Sequence, residues 1–227
     1  MLSAIAIIPS APVLVPELAG TAADEVAELR AAMIAAASAL PPRWIAVGVG
    51  DADGVIGPQA VGTFAGFGVD VPVRLSPKSV EPVDMPLCGL MAGWIRAQAQ
   101  PHAQAQVRVY AAHHDAQTAI ALGRQLRGDL DQSDEPIGVL IVADGANTLT
   151  PAAPGGYQPD DIEVQRAVDD ALACGDVAAL SALPEQVGGR VAFGVLAGLA
   201  DPVPRSAKEL HRAAPYGVGY FTGIWQP

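Results

Sequence analysis

Ala4-Ile5-Ala6-Ile7-Ile8, closed by Pro9, is an apolar run with no polar residue on either face, so a strand made from it is covered on both sides. That pattern belongs to an inner strand of a helix-covered sheet. Trp44-Ile45-Ala46-Val47-Gly48-Val49 and the run from Gly138 to Ala143 share this character. Shorter strand patterns follow at Val69–Leu75, Val107–Tyr110 and Gly217–Phe221. Thr21 with Asp24 forms a helix-start signature, after which Val26, Leu29, Met33 and Leu40 recur at helical spacing up to Pro41-Pro42. Helices are predicted at Leu87–Gln98 and Gln117–Arg127. Asp160 with Glu163 marks another start, for a helix ending near Cys174-Gly175, and short helices follow at Val177–Leu183 and Arg190–Leu199. This alternation predicts one α/β domain over residues 1–227, with a mainly parallel central sheet flanked by helices on both faces.

The chain has 227 residues, 51% of them hydrophobic, enough for a large core. No apolar run reaches the roughly 18 residues of a membrane span, and the N-terminal stretch lacks a basic leader, so the sequence points to a cytoplasmic protein. A net charge of -11 disfavours nucleic acid and anionic membranes as partners. The two cysteines, Cys88 and Cys174, lie far apart in apolar contexts and are expected to be buried free thiols.

In open α/β sheets ligands collect beyond the carboxyl ends of the strands, which directs attention to the loops after Ile8, Val49 and Ala143. The first reads Pro9-Ser10-Ala11-Pro12-Val13-Leu14-Val15-Pro16-Glu17, the second Gly50-Asp51-Ala52-Asp53-Gly54, and the third Asp144-Gly145-Ala146-Asn147-Thr148-Leu149. Asp51, Asp53 and Asp144 would form a hard-oxygen site for magnesium or calcium if their loops met. Tight-turn chemistry is the competing explanation, because Asp53-Gly54 and Asp144-Gly145 are both turn dipeptides. His113-His114-Asp115 follows the Val107–Tyr110 strand closely enough to reach the same crevice, although adjacent residues on an extended chain point apart. His102 and His211 stand in polar contexts expected at the surface. No dinucleotide fingerprint, nucleophile elbow or P-loop is present.

The first of these loops resembles the P-H-x-P-x-L-x-P-E opening of class III extradiol dioxygenases and Memo-like proteins, with Ser10 in the place of the histidine. The segment from Val142 to Pro151, followed by Pro154-Gly155-Gly156-Tyr157, is similar to that family's S-G-D-L-S-H-x-L and P-x-G-Y blocks. Asp144 matches the aspartate, and Asn147 falls at or next to the acid/base histidine. Ala214-Pro215-Tyr216-Gly217-Val218-Gly219-Tyr220-Phe221 resembles the closing strand of Memo-like sequences. The resemblance implies a protocatechuate 4,5-dioxygenase beta-subunit-like fold, and together with the strand-end positions it gives a pocket containing Ser10, Asp51, Asp53, His113, His114, Thr148 and Tyr216, with Asp144 and Asn147 as the groups nearest to chemistry.

Set against that family, Ser10 is a poor ligand for ferrous iron, the Asp51–Asp53 turn brings no imidazole, and Asn147 cannot shuttle a proton near neutral pH. No metal ligands are therefore assigned and no cofactor is expected. The first expectation is a protein of this type that keeps a strand-end pocket for a small-molecule ligand without cleaving catechol rings. A second is a metal-dependent oxidoreductase or hydrolase of altered chemistry, using Fe, Zn or Mg with Asp51, Asp144, Asn147 and His113 or His114. A third is a non-enzymatic interaction protein. The family also implies multi-subunit assembly, here a homodimer.

Overall fold

Every residue of the Gly138–Val142 run is buried, and the strand that contains it sits at the centre of a seven-stranded sheet. The computed structural model describes residues 1–201 and 203–227. In chain order the elements are β1 (Leu2–Ile8), α1 (Pro16–Ala19), α2 (Ala27–Ser38), β2 (Arg43–Gly50), β3 (Gly54–Ile56), β4 (Ala60–Thr63), β5 (Pro72–Arg74), β6 (Glu81–Pro82), α3 (Leu87–Ala99), β7 (Gln104–Ala111), α4 (Ala116–Asp131), β8 (Ile137–Val142), α5 (Asp161–Cys174), α6 (Val177–Leu180), α7 (Arg190–Leu199), β9 (Ser206–Ala213) and β10 (Tyr220–Gln226).

The large sheet has the order β3-β7-β2-β8-β1-β10-β9. β7, β2, β8 and β1 run parallel, while β3 on one side and β10 and β9 on the other add antiparallel pairings. The sheet is therefore mixed, where the sequence suggested a mainly parallel one. The parallel centre is apolar on both faces, whereas β9 (Ser-Ala-Lys-Glu-Leu-His-Arg-Ala) carries charges that suit a half-exposed edge. His211 lies on this strand, half-buried, and its residue pairs with Thr222 of β10.

Helices cover both faces. One core, with Ile8, Met33, Trp44 and Met91, lies under α2 and α3. The other, with Ile5, Val47, Phe193 and Trp225, lies under α4, α5 and α7. Trp225 is fully buried, and its indole N–H donates to Leu172 O at 2.8 Å, which satisfies the one polar atom it carries into the core. The closest helix contact joins α4 to α7: a Cβ at Gly123 would stand 2.1 Å from Val195 O, and one at Gly198 would stand 2.1 Å from Ile120 O.

Several local expectations are corrected. Val69–Leu75 yields only β5, which belongs to a separate three-stranded sheet with β4 and β6. Thr21 and Asp24 fall in a 3-10 turn, and α2 starts after Val26 with no side-chain cap. Asp160 already has helical backbone angles and caps nothing. Gly217 takes a turn conformation, φ 72°, so the last strand starts at Tyr220. Cys88 is buried as expected, but Cys174 at the exposed end of α5 is not. Among the described residues, no helix is long and apolar enough to cross a membrane.

Candidate functional site: a crevice between the β1 and β8 loops

β1 and β8 are parallel neighbours, but their chains leave the sheet toward opposite faces, β1 to α2 and β8 to α5. A crevice opens where such connections diverge. It occupies about 410 Å³ and lies beyond the carboxyl ends of these strands. Ser10, Asp144, Asn147 and Tyr220 bring polar groups to its lining, and Val49 and Val218 contribute apolar wall. β10 runs antiparallel to β1, so its first residue, Tyr220, arrives at the same end of the sheet.

Asp144 lies two residues past the end of β8. The backbone N–H of Ser10 donates to its Oδ1 at 2.7 Å. The residue is half-buried: Oδ1 is held by the Ser10 amide, and the side chain forms part of the crevice lining. Burial pushes that carboxyl up to about 6, against the opposing pull of the Ser10 amide. Tyr220 is also held above its ordinary value, first by burial and then by the nearby Asp144 and Tyr216.

Backbone and side-chain hydrogen bonds fix the loop after β8. Gly145 N donates to Gly219 O, Gly219 N to Ala146 O, and Gly189 N to Asp144 O, each at 2.8 Å. Ala146 N donates to Gln165 Oε1 at 2.8 Å, and Gln165 Nε2 donates to Asp169 Oδ1 at 2.7 Å. Gln165 is wedged between Gly145 and Gly219: a Cβ at those positions would lie 2.0 Å and 2.1 Å from its Oε1. Asp169 is also pushed up to about 6, mainly by burial.

The other residues singled out in the sequence lie elsewhere. Asp53 turns toward β7, where its Oδ1 accepts the Ala111 N–H at 2.7 Å and lies 2.7 Å from His114 Nε2. The Ala111 amide and then His114 hold its carboxyl below the usual range. This follows from β3, which doubles back along β7 and carries the Asp51–Asp53 turn to the far side of β2. Asp51 is exposed and is not part of the crevice lining. His113 and His114 line a separate cleft of about 290 Å³, together with Glu185 and Arg190. Thr148 is buried and donates to Asp161. Tyr216 Oη donates to Glu25 Oε2 at 3.0 Å, away from the crevice lining. The structure thus brings Ser10, Asp144 and Asn147 together and separates Asp51, Asp53, His113, His114, Thr148 and Tyr216 from them. Tyr220 and Gln165 are additions. Tyr220 stood in the closing-strand motif, but Gln165 gave no sign in the sequence because its partners are distant loops.

A two-histidine, one-carboxylate iron centre does not fit this lining, which offers one carboxylate, a hydroxyl, a carboxamide and a phenol, and no imidazole. Among the described residues, no group of three or more His, Cys, Asp or Glu side chains is placed to hold a metal ion. That includes the Asp51, Asp53 and Asp144 combination.

No family model matches the chain. No curated protein matches it either. Among solved structures it is similar to that of the uncharacterized protein JW3007 from Escherichia coli K12, with a TM-score of 0.58 at 12% identity over 99% of this chain and 100% of that one. That likeness extends over the whole chain and concerns the fold alone.

Proposed function

We propose that the protein is class III extradiol dioxygenase-like and binds a small molecule in the crevice between the β1 and β8 loops, without iron-dependent ring cleavage. The observation that carries this reading is the makeup of the lining: Ser10, Asp144 and Asn147 converge on one space that contains no histidine, while His113 and His114 face another cleft. Extradiol cleavage needs neutral imidazoles to hold ferrous iron and a base to take a catechol proton. A mostly apolar pocket with a few convergent polar groups is instead the usual form of a small-ligand site.

A fragment panel followed by thermal shift tests the reading, with Val218→Phe as a variant whose larger side chain fills the crevice. Fragments should raise the midpoint of the wild type and leave the variant unmoved. Equal shifts in the two proteins would place binding elsewhere and contradict the reading.

A second reading is favoured by the placement of Asp144, the one carboxylate of the crevice lining, held by the Ser10 amide at 2.7 Å and pushed by burial up to about 6. An acid in that range can give and take a proton near neutral pH, which suits an enzyme of altered, metal-independent chemistry. Turnover lost in Asp144→Asn, with ligand binding retained, would favour this reading over simple binding.

A further inference from the structure

We propose that the crevice recognises small primary amines, with the ammonium group against the Asp144 carboxylate and the carbon body along the apolar wall. This rests on the reading of the crevice as a ligand site. Among the described lining residues Asp144 is the only acidic one, and none is Lys, Arg or His. The protein therefore provides no cationic partner for this carboxylate within the crevice.

A carboxylate has room for about four hydrogen bonds. Asp144 accepts one from the protein, from the Ser10 amide. Burial without a counter-charge is costly, as the upward displacement of its pKa reflects, and an ammonium ion supplies both the missing charge and the missing donors. Ser10 and Asn147, whose side chains carry a hydroxyl and a carboxamide that can accept the remaining ammonium hydrogens, belong to the same lining. Val49 and Val218 offer an apolar surface to the rest of the ligand.

Competing ligand classes fare worse on the same grounds. A carboxylate or phosphate would bring a second negative charge to Asp144 with no cation to offset it. An alcohol of the same shape would keep the apolar contacts and one hydrogen bond but leave the buried charge unpaired. The expected order is therefore amine, then alcohol, then acid.

The test is titration calorimetry on the full chain at pH 7.5 with 2-phenylethylamine, 2-phenylethanol and phenylacetate. The amine should bind about tenfold more tightly than the alcohol, the gap that a charged hydrogen bond provides, and phenylacetate should not bind. Asp144→Asn should reduce the amine to the affinity of the alcohol. Should that variant fail to fold, the wild-type ratio of amine to alcohol decides alone. Equal binding of amine and alcohol, with both lost in Val218→Phe, overturns the amine assignment and leaves the crevice as a ligand site. An amine preference that persists in a folded Asp144→Asn protein also overturns it. Binding of none of the three compounds overturns the amine assignment, and the fragment panel decides the ligand-site reading separately.

Discussion

The backbone N–H of Ser10 donates to Asp144 Oδ1 at 2.7 Å and so ties the end of β1 to the end of β8 beside the crevice. The bond joins positions 134 residues apart, and both lie where their strands leave the sheet. The aspartate is thereby oriented by backbone, a partner that substitution of the Ser10 side chain does not remove.

The raised Asp144 pKa predicts a pH-dependent stability. Its ordinary value is 3.8 and its folded value about 6, so between those values the folded chain keeps a proton that the unfolded chain has released. Stability therefore falls as pH rises through this window, by about 3 kcal/mol in full, and the cost stays constant at higher pH. Asp144→Asn should remove that slope in urea melts from about pH 4 to pH 7. Asp169, also raised to about 6, contributes a separate slope that Asp169→Asn should remove. Parallel profiles for wild type and Asp144→Asn would show that the carboxyl is not buried as described.

Gln165 predicts a coupled pair of substitutions. Gln165→Ala removes the acceptor of the Ala146 N–H and empties the space between Gly145 and Gly219, at a cost of about 2 to 3 kcal/mol. Gly219→Ala in the wild type forces a methyl against the same side chain and should cost at least as much. Combining the two should cost clearly less than their sum, because each relieves the other. Additive losses in a denaturant double-mutant cycle would rule out the wedge.

The α4–α7 contact predicts opposite signs for two glycines of one helix. Gly123→Ala pushes a methyl into Val195 O and should destabilise by about 1 to 3 kcal/mol. Gly128→Ala, on the same helix with nothing within 4 Å, should stabilise by up to about 1 kcal/mol. Thermal melts of the two variants distinguish them, and a shift in the same direction for both would contradict the close helix approach.

The inner strands were legible because Ala4–Ile8, Trp44–Val49 and Gly138–Val142 are apolar on both faces, a pattern that only a covered sheet accommodates. Arg190–Leu199 likewise lies in the structure where its periodicity placed it. β9 was not legible, since Lys208, Glu209, His211 and Arg212 give an edge strand the look of a loop. The crevice was half legible: Ser10, Asp144 and Asn147 follow strand ends, and strand ends gather ligands. Asp51 and Asp53 follow a strand end too, but whether a loop folds inward or doubles back depends on pairings such as that of β3 with β7, which no local pattern specifies. Tyr220 enters from an antiparallel neighbour, a pairing equally silent in sequence.

Oxygen uptake with a catechol panel and added ferrous iron tests the central claim most directly, comparing wild type with a His113→Ala, His114→Ala double variant. The predicted result is no iron-dependent uptake above the protein-free control in either protein, since the lining of the crevice holds no imidazole and the two histidines face a different cleft. Iron-dependent turnover in the wild type that disappears in the double variant would contradict the account and make His113 and His114 the ligands of a working iron centre.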